Sequence, residues 1–130
     1  LLKDEEMCMG YAVRSSVDTE KEKLIAKMRE ILQKWNGTMK VSGQYPGWQY
    51  NPDSKLREDM IEVFERLYGR KPVVEAIHAG VECGLFAEKM EGLDCVSIGP
   101  DMDDIHTTEE RMSISSVKRV WEFLLEVLKK

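Results

Sequence analysis

Along this chain short apolar runs alternate with amphipathic stretches, and no other feature restricts its possible folds as much. Runs at 7–17, 38–45, 73–77 and 94–98 have strand character, while 19–36, 54–68, 82–90 and 113–129 read as helices. A strand, a helix and a further strand make a right-handed crossover, so this order predicts an α/β fold with a parallel sheet. In such sheets ligands gather beyond the carboxyl ends of the strands. That rule puts both histidines, His78 and His106, at the edge where a site belongs.

Local signals sharpen the helices. Thr19 with Glu22 predicts a capping box, Leu24, Ile25, Met28, Ile31, Leu32 and Trp35 share one face, and Asn36-Gly37 supplies a left-handed stop. Ser54 and Gly69 bracket the second helix. The last helix is expected to bury Ile114, Val117, Val120, Trp121, Leu124, Leu125 and Leu128. Between the second apolar run and the second helix, residues 43–54 hold Gly43, Pro46, Gly47 and Pro52, which predicts a domain boundary within this stretch.

Composition excludes some functions. With a net charge of −5 and pI near 5.2, and with bases interleaved among acids as in Glu20-Lys21-Glu22-Lys23, no phosphate-tracking surface is expected. No apolar run approaches the roughly 20 residues that a membrane span needs. Hydrophobic content of 42% suffices for a core. Cys8, Cys83 and Cys95 are odd in number and lack metal-knuckle spacing, so reduced thiols in a cytoplasmic protein are expected. The opening Leu1-Leu2-Lys3 has neither an initiator Met nor a signal-peptide pattern, which leads us to expect a start inside something longer.

His106 reads in two ways: as a metal ligand, or as a polar loop residue ahead of the last helix. Asp101, Asp103 and Asp104 before it fit no ligand template and read as a solvated acidic loop. The segment His78-Ala79-Gly80-Val81-Glu82-Cys83-Gly84 is a tight strand-to-helix turn whose glycines relieve the backbone. It also presents His78 and Glu82 beside a helix N-terminus, a natural place to hold a polar substrate group. Cys83 as a nucleophile is disfavoured, because no third group orients a Cys–His pair. Arg14 is either an exposed strand residue or a fork aimed at a carboxylate, and Trp48 is expected to pack the domain junction.

Taken in order, Val13-Arg14-Ser15-Ser16, Gly43-Gln44-Tyr45-Pro46-Gly47-Trp48, the stretch from Ile77 to Phe86, Val96-Ser97-Ile98-Gly99-Pro100 and His106-Thr107-Thr108-Glu109-Glu110 resemble the aminoacyl-histidine (cytosol nonspecific) dipeptidases. The resemblance covers nearly the whole chain and points to a C-terminal portion. It implies that residues 1–47 are the strand–helix–strand end of a βαββαβ lid. Residues 48–130 would be the C-terminal βαβα part of a metallopeptidase catalytic domain.

It further implies hydrolysis of Xaa-His and other dipeptides with two divalent ions, zinc first with manganese or cobalt as alternatives, in a cytoplasmic homodimer. By the same resemblance His106 is a metal ligand, Arg14 faces the substrate's carboxylate, and His78 and Glu82 lie on the substrate side. The family's His-x-Asp pair, its Glu-Glu pair and hence its general base have no match in this chain. The chain alone is therefore expected to be inactive. The acidic run between Pro100 and His106 departs from the family pattern. The rival reading is a non-catalytic dimerisation or regulatory module in which both histidines are structural.

Overall fold

Ser54 and Gly69 set the limits of the best-defined helix, as their residue types predict. In the computed structural model, which describes residues 2–3, 6–78 and 82–130, Ser54 Oγ accepts from Arg57 N at 3.0 Å. The helix runs Lys55–Tyr68 and ends on Gly69 at φ 66°, whose N–H closes on Glu65 O at 2.8 Å. In chain order the elements are β1 (Leu2–Lys3), β2 (Glu6–Met7), α1 (Asp18–Gln33), α2 (Lys55–Tyr68), α3 (Glu82–Lys89), β3 (Met102–Asp103), β4 (Arg111–Met112) and α4 (Ile114–Val127). Among the described residues no helix is long and apolar enough to cross a membrane.

The architecture is a mixed, helix-rich α/β one, but the expected parallel sheet is absent among the described residues. The only ladders there are two short antiparallel ones, Leu2↔Met7 with Lys3↔Glu6 and Met102↔Met112 with Asp103↔Arg111. Apart from Met7 in β2, the runs at 7–17, 38–45, 73–77 and 94–98 make no ladder. A strand exists only through a neighbour about 4.8 Å away that takes its N–H and C=O groups. Apolar pattern gives these runs strand character, but no ladder forms among them to satisfy it. Val73, Val74 and Ile77 accordingly stay exposed.

The chain divides into two compact units, Leu1–Tyr50 with Ala76–Glu88, and Asn51–Glu75 with Lys89–Lys130. In the first, α1 begins one residue early on Asp18, with Val17 at the N-cap and no side-chain cap bond, so the Thr19/Glu22 capping box does not form. The helix ends at Gln33, and the predicted stop follows: Asn36 is left-handed at φ 53°, and Gly37 N reaches back to Leu32 O at 2.9 Å. Of its apolar face, Ile25, Met28 and Leu32 are half-buried, whereas Leu24, Ile31 and Trp35 are exposed.

In the second unit Met60 and Val63 of α2 meet Phe123 of α4, and Leu56, Phe64, Val96 and Val127 pack around them. Phe64 meets Phe123 edge-on at 5.7 Å, a favoured aromatic geometry. Glu126 on α4 pairs with Arg66 of α2 at 3.0 Å. The expected buried face of α4 needs correction. Ser116 and Phe123 are the buried positions and Val120 and Leu124 are half-buried, while Ile114, Val117, Trp121, Leu125 and Leu128 are exposed. The helix is apolar around most of its girth, so apolarity alone does not tell which side meets α2.

A carboxylate distant in sequence completes the start of α2. Asp94 accepts from Ser54 Oγ at 2.6 Å and from Leu56 N at 2.9 Å. These two bonds, the Ser54 one foremost, hold its carboxyl below the ordinary aspartate range.

Candidate functional site

Three parts of the first unit converge: segment 14–18, segment 45–48, and His78 with the first turn of α3. Two glycines permit it. A Cβ on Gly47 would lie 2.6 Å from Ser16 O, and one on Gly84 would lie 3.0 Å from Pro46 O, so main chain touches main chain at both places. Asp18, the first residue of α1, accepts from Gly47 N at 2.9 Å and from Lys21 Nζ at 2.5 Å. Lys21 Nζ also donates to Tyr45 O at 2.5 Å. The Lys21 bond is the main cause that holds the Asp18 carboxyl below its ordinary range, with Gly47 N–H assisting.

On this platform the buried Ser16 donates its backbone N–H to His78 Nδ1 at 3.0 Å, across 62 residues of sequence. An Nδ1 that accepts carries no proton, so the neutral ring bears its hydrogen on Nε2 and offers it as a donor. Arg14, exposed, stands two residues before Ser16 on the same segment. Glu82, exposed, is the first residue of α3. Residues 79–81, including the expected turn glycine Gly80, lie outside the described residues.

Sequence reasoning missed Tyr45. Its phenol is pushed above the ordinary tyrosine value, first by lost hydration and then by the negative charges of Glu82 and Cys83, so it belongs to the same cluster. The available signal was its place beside Pro46-Gly47, a turn whose glycine must let backbone approach backbone. Trp48, half-buried, sets its Cβ 3.6 Å from where a Gly84 Cβ would lie. The three cysteines are thiols, with no disulfide among them.

His106 belongs to the second unit and His78 to the first, and the expected parallel sheet edge that was to hold both is absent among the described residues. His106 is exposed and left-handed at φ 68°, and its N–H donates to Glu110 Oε2 at 2.7 Å. The acidic run before it is engaged with arginines: Asp101 with Arg119 at 2.9 Å, Asp103 and Asp104 with Arg111 at 3.4 and 3.3 Å. Among the described residues no group of three or more His, Cys, Asp or Glu side chains could hold a metal ion. A catalytic zinc needs about three protein ligands, so the residues present do not themselves fit a metal centre.

The peptidase family M20/M25/M40 matches residues 9–130. The chain belongs to that peptidase family. The cytosol non-specific dipeptidase of Escherichia coli (strain K12) is 34% identical over 117 residues, which cover 90% of this chain and 24% of that protein. The chain thus spans about a quarter of the length of the curated relative it matches. The family is the one that the motifs around Arg14, Tyr45, His78 and His106 resemble.

Proposed function

We propose that this chain is the substrate-side part of a cytoplasmic, metal-dependent dipeptidase that hydrolyses Xaa-His and other dipeptides. The observation that carries the reading is the Ser16–His78 bond, which fixes a histidine ring beside the Arg14 segment and the start of α3. In this reading Arg14 grips the dipeptide's C-terminal carboxylate with its planar fork. His78, neutral with hydrogen on Nε2, donates to a substrate oxygen. Glu82, with Tyr45 close to it, accepts from the substrate's polar hydrogens. Residues 1–47 act as the end of a lid and 48–130 as part of the catalytic domain, in a homodimer.

His106 serves as one ligand to a pair of divalent ions, zinc first with manganese or cobalt as alternatives. The remaining ligands and the general base come from outside this chain, so the chain by itself hydrolyses nothing. A second reading is a non-catalytic dimerisation or regulatory module.

Binding separates the two. In a chemical-shift titration of the ¹⁵N-labelled chain, an Xaa-His dipeptide should move the amides of 14–16 and 82–84, and its C-terminal amide should bind more weakly. Arg14→Lys should weaken the free acid about 10- to 100-fold, the cost of a lost bond to a charged group, and leave the amide nearly unchanged. Equal losses for acid and amide, or no response in those segments, would refute the dipeptidase reading.

A further inference from the structure

Three lysine–carboxylate pairs lie along α1, and one differs from the other two. Lys23–Glu20 and Lys27–Glu30 leave all four side chains between 58 and 71% exposed, where water screens them and they hold little in place. The Lys21 side chain is only 16% exposed. A lysine is seldom buried unless its ammonium is partnered, because acceptors must replace the water it gives up. Lys21 has two, Asp18 Oδ1 and Tyr45 O, both at 2.5 Å. Asp18 in turn reaches beyond its own helix and accepts from Gly47 N at 2.9 Å, 29 residues away.

The pair therefore grips the turn 45–47 by two main-chain groups, Tyr45 O through the lysine and Gly47 N through the aspartate. That turn is in contact with both halves of the candidate site. On one side Gly47 lies against Ser16, whose N–H holds His78 Nδ1 at 3.0 Å. On the other Pro46 O lies against Gly84 in the first turn of α3, the helix that Glu82 begins. Main chain meets main chain at both places, so a small shift of the turn is passed on to both neighbours.

We propose that Asp18 and Lys21 are positioning residues: their ion pair anchors the 45–47 turn and through it sets His78 and the start of α3, without touching substrate. The proposal rests on the substrate-side reading above for what is being positioned; the anchoring itself needs no substrate.

Nuclear magnetic resonance of the ¹⁵N-labelled 130-residue chain tests it. In the native chain a scalar coupling across the N–H···N bond should join Ser16 N to His78 Nδ1, a signal that exists only while the bond is formed. Asp18→Asn keeps the side chain's size and removes its charge, and Lys21→Met keeps the stem and removes the ammonium. Each should abolish the coupling and speed hydrogen exchange at Ser16 about 10-fold, while amides in the middle of α1 and in α2 keep their native rates. Glu20→Gln, which weakens the exposed pair with Lys23 on the same helix, should change neither readout. The dissociation constant of an Xaa-His dipeptide should rise about 10-fold in Asp18→Asn and stay native in Glu20→Gln. A native chain that lacks the coupling overturns the proposal, and so do coupling and Ser16 exchange that stay native in both Asp18→Asn and Lys21→Met. Faster exchange throughout α1 in both variants also overturns it, since the pair would then hold the helix and not the site. A dipeptide that leaves 14–16 and 82–84 unmoved in the native chain removes the dipeptidase reading, whereas a local loss of the coupling in the two variants still supports the anchor.

Discussion

Replacing Asp94 by Asn should loosen the second unit, and the size of the effect follows from two bonds. The carboxylate takes Ser54 Oγ at 2.6 Å and Leu56 N at 2.9 Å, so it orders both the capping residue of α2 and a first-turn amide that no helical carbonyl can satisfy. An Asn side chain keeps one oxygen, loses the charge, and turns an NH₂ toward a donor. A hydrogen bond to a charged acceptor contributes about 1.5–3 kcal/mol, and loss of a cap costs about 0.5–2 kcal/mol. A net loss of about 1.5 kcal/mol follows once the remaining acceptor is allowed for, which for a unit of this size lowers the unfolding midpoint by about 10 °C.

The pH dependence has a definite sign. Because folding lowers the Asp94 carboxyl below its ordinary value of 3.8, its contribution is fully present above that value and disappears as pH falls through the lower folded one. Thermal unfolding followed by circular dichroism over a series from neutral pH into acid is the assay. A gap between native chain and Asp94→Asn at neutral pH should narrow as pH falls through the lowered Asp94 value and protonates the native carboxylate. Equal midpoints at neutral pH, or a gap undiminished in acid, would refute the reasoning.

Gly47→Ala should destabilise the first unit by about 1–3 kcal/mol, since its methyl would sit 2.6 Å from Ser16 O, and the check is faster proteolysis within 1–50. His78→Ala should remove the acceptor of the Ser16 amide, so hydrogen exchange at Ser16 should speed up by about 10-fold while the α2 amides are unaffected. His106→Asn, chosen because Asn tolerates the left-handed backbone at φ 68°, should leave the stability of this chain within about 0.5 kcal/mol. In a full-length dipeptidase carrying this segment the same change should lower metal content and turnover together, and normal values of both would remove His106 from the ligand set.

How far the sequence was legible depends on the range of the interaction. Ser54 and Gly69 act on their own helix within a few residues, so residue type alone located both ends of α2. The strands depend on neighbours, and apolar pattern says nothing about whether a neighbour is present, so the runs at 38–45, 73–77 and 94–98 were expected to pair and do not. The face of α4 failed for a related reason: Trp121 and Phe123 are equally apolar, and only the position of α2 selects Phe123. Asp94 was invisible because it stands 40 residues from the hydroxyl it accepts. In the candidate site, Arg14, His78 and Glu82 were picked out as residues, but the device that holds His78 is a backbone amide, which no residue letter encodes.

That last point bears on how the site can vary. The group that orients His78 belongs to the main chain of Ser16, and every residue except proline brings the same N–H. Position 16 can therefore change its letter, within the small space beneath Gly47, and keep the imidazole in the same tautomer. A comparison of related chains that ranks positions by invariance would pass over residue 16, although a single proline there would release the ring.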